Sequence, residues 1–298
     1  MLFFILSIIE LSLSSKIDGC LDPDEFNSLY KDRFSEEVIT QSEILKISPL
    51  EYSFQKGKFL GKGAFGIVNE IKWGEKSLVA KEVDARQKQE LMTIISAELN
   101  YLQIMCGFEK GSVITSDRIC NTDTTVKLFG CMLKDNVAYI IQEPLYKDLE
   151  HPSSIKTYNQ KSKIERLKIL KRIAEKFLNL HSHKIIHCDI KPSNIMSVDS
   201  NLSDFRIIDL GLSTTIDSTA FEGTPLYNGL ERIKQKTTAV PQIDIYSLGI
   251  TFAVLEIDRK IVFKDIVPSC YKGNFRPFCH KVIMDSIKKS LMTKKFPE

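Results

Sequence analysis

The spacing of hydrophobic and polar positions changes once along the chain. Between residues 52 and 145, β-branched and aromatic residues form short runs in FLGKGAFGIVNEIKW, SLVAKEV, TVKLFGCML and VAYIIQEPL, a pattern typical of strands. One helical stretch, QELMTIISAELNYLQIM, interrupts these runs. After about Leu149, apolar residues recur at intervals of three and four, as in KIERLKILKRIAEKFLNLHSH, which predicts helices. The pattern predicts an α+β protein in which a small, strand-rich lobe with one helix precedes a larger, mainly helical lobe.

This change of period sets the predicted domain boundaries. Residues 51–145 are expected to form the strand-rich lobe, and residues 146–298 the helical lobe. Residues 16–50 differ from both and are predicted to form an N-terminal extension. Within them, residues 20–50 carry seven acidic and three basic side chains, and their helix-like stretches end at Pro49.

Residues 1–15, MLFFILSIIELSLSS, have the character of a secretory signal peptide. They are apolar from Leu2 to Ile9 and then turn to small residues. No Lys or Arg precedes the apolar run, and Glu10 interrupts it, so a buried or docking N-terminal helix is the alternative. We therefore expect a protein that is secreted or acts in the secretory pathway, with the cytoplasm as the alternative location.

Composition narrows the function classes. The 298 residues are 43% hydrophobic and 27% charged, which is ordinary for a globular protein. Lys and Arg exceed Asp and Glu by only three, so the chain lacks the basic excess that marks many nucleic-acid-binding proteins, and no nucleic-acid partner is expected. No apolar run reaches the roughly 20 residues that a membrane-spanning helix needs, so no transmembrane span is expected.

The cysteine content does not indicate a metal site. The seven cysteines are an odd number and lack CxxC spacing, which argues against a zinc site or a small disulfide scaffold. Cys106 with Cys120, or Cys270 with Cys279, could pair if the chain is secreted. Scattered unpaired thiols are nevertheless the expected state.

Two features of the strand-rich lobe are typical of phosphate binding. GKGAFGIV places three glycines between two strands, where a tip without side chains lets backbone N–H groups approach a polyphosphate; a merely flexible turn is the alternative. The next strand ends with Lys81, which can hold phosphate oxygens if a carboxylate orients it. Glu98 is favoured over Glu90 as that carboxylate, because Leu102 lies on the same helix face and can pack inward. A solvated surface pair is the other interpretation.

The helical lobe contains HCDIKPSN at residues 187–194 and DLG at residues 209–211. Together with the glycine, lysine and glutamate positions, these motifs resemble the eukaryotic-type serine/threonine protein kinase superfamily over residues 52 to about 287. The resemblance implies a bilobal kinase-like fold and transfer of the γ-phosphate of ATP to Ser or Thr hydroxyls of a protein substrate. It also implies Mg²⁺ as a cofactor.

The resemblance assigns roles to individual residues. Asp189 would accept the proton of the substrate hydroxyl, and Lys191 would lie beside the γ-phosphate. Asn194 and Asp209 would hold Mg²⁺. The residues implied in ATP binding are Gly61, Gly63, Gly66, Val68, Val79, Lys81, Glu98, Gln142, Glu143, Leu145 and Met196.

Later motifs refine the subclass. GTPLY, residues 223–227, resembles the substrate-side loop of Ser/Thr kinases, and Lys191 in the catalytic loop agrees with it. Because of GTPLY and Lys191, tyrosine specificity is not expected. DIYSLG, residues 244–249, resembles the start of a buried helix whose Asp244 binds the catalytic-loop backbone.

The chain also departs from the family pattern. Cys188 replaces the arginine that usually precedes the catalytic aspartate, so phosphorylation of the activation segment is not expected to be required. The candidate positions in that segment are Ser213, Thr214, Thr215, Ser218 and Thr219. Glu231 has lost its usual proline neighbour, and Arg276 is its expected partner. Only 32 residues separate Asp244 from Arg276, which indicates a shortened helical lobe. A pseudokinase that acts as a nucleotide-binding scaffold, or a small-molecule phosphotransferase of the same fold, are the alternative functions.

Overall fold

The computed structural model describes residues 54–62, 66–73, 76–84, 90–109, 120, 122–134, 137–220, 223–229, 232, 238–257 and 262. The predicted signal peptide and N-terminal extension lie outside these residues, as do Gly63 and the Glu231–Arg276 pair. The chain divides into two compact units between Pro144 and Leu145. Among the described residues, no helix is long and apolar enough to cross a membrane.

The first unit is built on a five-stranded antiparallel sheet. Its strands are β1 (Phe54–Lys62), β2 (Ile67–Trp73), β3 (Lys76–Asp84), β4 (Leu128–Lys134) and β5 (Val137–Gln142). Their order in the sheet is β1-β2-β3-β5-β4. β3 and β5 form the buried centre, where Ala80, Ile140 and Ile141 are almost completely excluded from water. The short runs of β-branched and aromatic residues predicted these strands, and the α+β fold class is confirmed.

Among the described residues of the first unit, one helix, α1 (Glu90–Met105), accompanies this sheet. Ile95, Leu99 and Leu102 recur at intervals of three and four and are buried, so this helix face packs inward. A disulfide joins Cys106, the residue after the helix, to Cys120. The expectation of unpaired thiols was therefore wrong for this pair, which the sequence had offered as the alternative. Cys131 on β4 is also disulfide-bonded.

Three α-helices lie among the described residues of the second unit. They are α2 (Pro152–Gln160), α3 (Lys163–Ser182) and α4 (Pro241–Glu256). A capping box starts α3: the Ser162 hydroxyl accepts from the Glu165 N–H at 3.3 Å, and the Glu165 carboxylate accepts from the Ser162 N–H at 2.8 Å. Proline at the first position begins both α2 and α4, where a missing N–H costs little.

A buried polar cluster joins the three helices. Arg166 on α3 donates from Nε to the Glu256 carboxylate on α4 at 3.1 Å, and the Tyr158 hydroxyl on α2 donates to the same oxygen. All three residues are almost fully buried. Burial raises the pKa of the Tyr158 hydroxyl, and the Glu256 charge raises it further, so this tyrosine stays protonated and remains a donor.

Short strands position the loops of the second unit. β6 (Ile185–Ile186) pairs with β9 (Thr214–Thr215), and β7 (Ile195–Ser197) pairs with β8 (Phe205–Ile207). Both pairs are antiparallel. Residues 187–194 therefore lie between β6 and β7, and residues 208–213 between β8 and β9. Each of the two loops that carry the predicted catalytic and metal-binding residues therefore joins one strand pair to the other.

Candidate active site

In the first unit, Lys81 on β3 forms an ion pair with Glu98 on α1, with 2.6 Å between Nζ and Oε2. The glutamate side chain is 2% exposed and the lysine side chain 13% exposed, so this is not a solvated surface pair. Since the carboxylate lies inside the unit, it fixes the direction of the ammonium group and favours its charged form. Glu98 is the partner that the sequence favoured.

The glycines of the β1–β2 hairpin differ in their surroundings. A Cβ on Gly66 would lie 2.3 Å from the Glu82 carbonyl oxygen, so this position admits only glycine unless β3 moves. A Cβ on Gly61 would meet nothing within 4 Å, so no described protein atom excludes a side chain there. Gly61 pairs with Val68, and Val68 in turn pairs with Lys81, which places these three positions in one row across the sheet.

The end of β5 carries the predicted adenine-binding positions of the first unit. Gln142 is buried and pairs with Val79 on β3, which is also buried. The Glu143 N–H donates to the Lys127 carbonyl at 3.0 Å, and the Glu143 side chain accepts from the Lys127 N–H at 2.9 Å. These two hydrogen bonds fix the backbone at Glu143, and its N–H group is bound within the protein.

In the second unit, Leu145 begins a stretch that runs beside β7. The Tyr146 N–H donates to the Ser197 carbonyl at 2.9 Å, and Asp148 forms an isolated bridge with Met196. Met196 is half-buried. Of the two adenine contacts predicted in this unit, Met196 therefore lies in β7, and Leu145 begins the stretch beside it.

The catalytic loop brings Asp189, Lys191 and Asn194 together. The Lys191 ammonium donates to Asp189 Oδ2 at 2.7 Å, and the Asn194 side-chain amide donates to the Asp189 carbonyl at 2.8 Å and to Oδ2 at 3.2 Å. The Thr224 N–H donates to the other carboxylate oxygen, Oδ1, at 2.7 Å. The Asp189 carboxylate is therefore oriented through both of its oxygens.

The charge state of Asp189 follows from these contacts. Burial raises the pKa of its carboxyl group, but the hydrogen bond and charge of Lys191, together with hydrogen bonds from Thr224, lower it by more. The pKa of Asp189 consequently lies below its ordinary value, and the group is a carboxylate at neutral pH.

Asp244 on α4 binds the backbone at the start of this loop. The Asp244 carboxylate accepts from the N–H groups of His187 at 2.7 Å and Cys188 at 3.0 Å, which confirms the predicted contact between Asp244 and the catalytic loop. Asp244 also contacts His181 Nε2 at 2.8 Å. His187 Nδ1 accepts from the Asp189 N–H at 3.1 Å, so its Nε2 carries the proton and donates to the Ile208 carbonyl at 3.1 Å.

Asn194 and Asp209 have the chemistry that Mg²⁺ requires. The Ile208 N–H donates to the Asn194 carbonyl at 3.1 Å, and Ile195 pairs with Ile207, so the two predicted ligands lie beside the same strand pair. The Asn194 amide nitrogen donates to Asp189, which leaves the side-chain oxygen as its acceptor group. One carboxylate and one neutral oxygen suit a hard ion that keeps several waters. The residues present fit the ion.

Three residues at this site were not recognised from the sequence as partners of Asp189 or of its loop. Thr224 belongs to the GTPLY motif, which therefore contained a signal for it. His181 and Arg232 belong to no motif, and Arg232 lies 44 positions from the Cys188 carbonyl that it contacts. Local pattern carries no signal for a contact of that sequence separation.

Comparison with known proteins gives one family. The sequence model of the protein kinase domain matches residues 54–295. The carbon catabolite-derepressing protein kinase of Candida glabrata is 28% identical over 233 residues, which cover 74% of this chain and 34% of that protein. The wall-associated receptor kinase-like 21 of Arabidopsis thaliana is 28% identical over 225 residues, which cover 70% of this chain and 33% of that protein.

Serine/threonine-protein kinase 17A of Oryctolagus cuniculus is 27% identical over 212 residues, which cover 68% of this chain and 50% of that protein. The chain thus spans about a third to a half of the length of these relatives.

Proposed function

Because the chain belongs to the protein kinase domain family, we propose that it is an active enzyme that transfers the γ-phosphate of ATP to Ser or Thr hydroxyls of a protein substrate. The observation that carries the proposal is the arrangement at Asp189. Its carboxylate is ionised, buried and oriented by Lys191, Asn194 and Thr224. A scaffold that only binds nucleotide has no need for a carboxylate held in this way.

Each residue has a definite task in the proposed reaction. Asp189 orients the attacking hydroxyl and takes its proton, and Lys191, which bonds both Asp189 and Thr224, neutralises charge on the transferred phosphoryl group. Lys81 holds phosphate oxygens in the direction that Glu98 sets. Such transfer depends mainly on alignment and on electrostatic stabilisation, which is what these fixed groups supply.

Asn194 and Asp209 are proposed to hold Mg²⁺, which when bound neutralises phosphate oxygens during transfer. In the first unit, the proposed ATP-binding residues are Gly61, Gly63, Gly66, Val68, Val79, Gln142 and Glu143. Leu145 and Met196 are the ones proposed in the second unit. The Glu143 N–H already binds Lys127. In any backbone hydrogen bond between this residue and adenine, the Glu143 carbonyl group is therefore the acceptor.

Specificity for Ser and Thr is proposed on the contact between Lys191 and Thr224. The Lys191 ammonium donates to Thr224 Oγ1 at 2.8 Å, so the substrate-side loop lies directly against the catalytic carboxylate. A short hydroxyl side chain reaches that carboxylate when the substrate backbone lies close to residues 223–227. A tyrosine side chain requires the substrate backbone to lie farther away.

We also propose that the protein works in the secretory pathway or outside the cell. The Cys106–Cys120 disulfide supports this location, because such bonds persist mainly in oxidising compartments. The apolar run from Leu2 to Ile9 supports it independently.

The decisive experiment compares wild type with Asp189→Asn, using ATP labelled at the γ-phosphate, Mg²⁺ and a panel of Ser/Thr and Tyr peptides. Asp189→Asn is expected to retain nucleotide binding and to lower kcat by about 10²–10⁴, since the group that orients the hydroxyl is lost. Asp123→Asn, which changes an exposed carboxylate, is the control and should leave kcat unchanged. Wild-type protein that binds ATP without transferring phosphate would contradict the proposal and favour the scaffold.

A further inference from the structure

The backbone of Cys188, the residue directly before Asp189, is held in an unusual conformation. Cys188 has φ of +66°, in the left-handed region that non-glycine residues seldom adopt, and its side chain is completely buried. Such a conformation persists only where the surroundings impose it. Because this residue immediately precedes Asp189, its backbone angles determine where the Asp189 carboxylate points.

Side chains bind both the N–H and the carbonyl of the peptide group between Cys188 and Asp189. The Asp189 N–H donates to His187 Nδ1 at 3.1 Å, and on the opposite edge the Cys188 carbonyl accepts from Arg232 Nη1 at 2.7 Å. The Cys188 N–H, in the preceding peptide, donates to Asp244 Oδ1 at 3.0 Å. The Cys188 carbonyl also lies against Gly223, where a Cβ would approach it to 2.2 Å.

Arg232 is itself well fixed. It is 5% exposed, and the same Nη1 donates to the Asn228 side-chain oxygen at 2.8 Å. Its own N–H donates to the Gly229 carbonyl at 3.0 Å. A planar guanidinium bound to two oxygens in this way keeps its orientation, which the single flexible ammonium of a lysine does less well.

The contact links two segments that must act together. Asn228 follows the 3₁₀ turn Pro225–Tyr227, and Thr224 at the start of that turn donates its N–H to Asp189 Oδ1. Arg232 thus joins the backbone of the catalytic loop to the segment that supplies a hydrogen bond to the catalytic carboxylate. Its guanidinium contacts the peptide of Asp189, not the reacting groups.

We propose that Arg232 is a positioning residue, which sets the direction of the Asp189 carboxylate by binding the Cys188 carbonyl. The inference rests on the proposed kinase function, since it assumes that Asp189 orients the substrate hydroxyl. Loss of the guanidinium lets the peptide plane rotate and moves the carboxylate from its line with the hydroxyl. Because a displacement of about 1 Å can cost about 10²-fold in rate, the effect falls on kcat.

The test measures kcat, KM for ATP, nucleotide affinity and thermal unfolding for wild type, Arg232→Met and Arg232→Lys. Arg232→Met is expected to lower kcat about 10- to 100-fold with little change in KM for ATP. Arg232→Lys retains a donor. The logarithm of its kcat is expected to recover at least a third of the drop that Arg232→Met causes. Arg206→Met is the control, because Arg206 is similarly buried and bonds a carboxylate and the Phe205 carbonyl.

The control separates positioning from general destabilisation. Arg206→Met should lower the unfolding temperature to a similar extent while its kcat, per folded molecule, stays within threefold of wild type. Equal kcat losses in Arg206→Met and Arg232→Met, or an unchanged kcat in Arg232→Met, overturn the inference. If Arg232→Met does not fold, Asn228→Ala replaces it. This variant removes one acceptor of the guanidinium, so it is expected to lower kcat, and an unchanged kcat in it overturns the inference. Failure of the kinase proposal is distinct, because wild type would then be inactive.

Discussion

At the residue scale, the site depends on a balance of burial and charge at one carboxylate. Asp189 is removed from water, which disfavours its ionised form, and Lys191 and Thr224 more than compensate. Because the pKa of Asp189 is lowered in the folded protein, its ionised form contributes stability that is present above the ordinary aspartate pKa. That contribution is lost as pH falls through the lower, folded-state pKa.

Lys191→Met removes the ammonium that offsets the burial of Asp189, so the pKa of this carboxyl should rise. The acid limb of the pH profile of kcat/KM is then expected to move to higher pH, in addition to a lower maximum rate. The measurement is the profile from pH 4 to 8 with wild type, Lys191→Met and, as a control, the exposed Lys171→Met. An acid limb at the same pH in all three proteins would show that Lys191 does not set the protonation of Asp189.

Motifs predicted the residue types at this site, but not all their partners. The spacing in HCDIKPSN placed Asp189, Lys191 and Asn194 in one short loop, where contact between them follows from chain length alone. The contact of Arg232 with the Cys188 carbonyl could not be predicted, because it spans 44 residues and depends on how two loops pack. Asp244 on α4 contacts the Cys188 N–H over a similar sequence separation, and only the family resemblance indicated that contact.

At the element scale, backbone pairing and apolar packing order the activation segment. The Ile216 N–H donates to the Lys184 carbonyl at 3.0 Å, and Ala239 accepts from the Asp217 N–H at 2.9 Å and donates to the Ser218 carbonyl at 2.7 Å. Cys188 belongs to a buried cluster with Ile186, Ala220, Ala239 and Ile243. The side chain before Asp189 thus stabilises the segment by apolar contact, where an arginine would need an anion.

Removal of phosphate from the activation segment is therefore expected to leave activity within tenfold of the untreated enzyme. Phosphatase treatment, confirmed by mass spectrometry and followed by assay, tests this expectation. The candidate positions are Ser213, Thr214, Thr215, Ser218 and Thr219. Ser213 and Thr214 are buried. The matched control is therefore a variant with alanine at the remaining positions, Thr215, Ser218 and Thr219. A loss of tenfold or more would make phosphorylation a requirement.

The disulfide at the end of α1 is the element-scale feature that the sequence least indicated. Short runs of β-branched and aromatic residues predicted the sheet, and helical spacing predicted α1, since both signals are local. Cysteine pairing depends on the distance between two sulfurs and on the redox compartment, and neither is readable from spacing. The bond lies directly after the helix that carries Glu98, so it also restrains the partner of Lys81.

A Cys106→Ser/Cys120→Ser variant is expected to lower the free energy of unfolding by about 2–4 kcal/mol, because the crosslink closes a short loop and restricts the unfolded chain. Urea unfolding of wild type with and without dithiothreitol, and of the variant, measures the effect. The reductant should destabilise wild type more than the variant. Equal stability of oxidised wild type and variant would contradict this prediction.

At the scale of the whole molecule, location has to be argued from features that the kinase fold does not require. A kinase needs neither a disulfide nor an apolar N-terminal run, yet this chain has both. Each on its own has an alternative explanation, because an apolar run can be a docking helix and a cysteine pair can stay reduced in a cytosol. Export through an oxidising compartment explains both features with one cause.

The last prediction follows from that common cause. Protein purified from its own cells is expected to begin near Ser15 or Lys16, and alkylation before reduction should leave Cys106 and Cys120 unlabelled. N-terminal sequencing and thiol mapping of the same sample measure the two properties, and a reporter fused to residues 1–20 should be exported. A fusion with Ile5→Lys and Ile8→Lys is the control and should be retained, because charges in the apolar run disrupt a signal peptide. An intact Met1 with labelled Cys106 and Cys120 would place the enzyme in the cytoplasm and assign residues 2–9 to a docking helix.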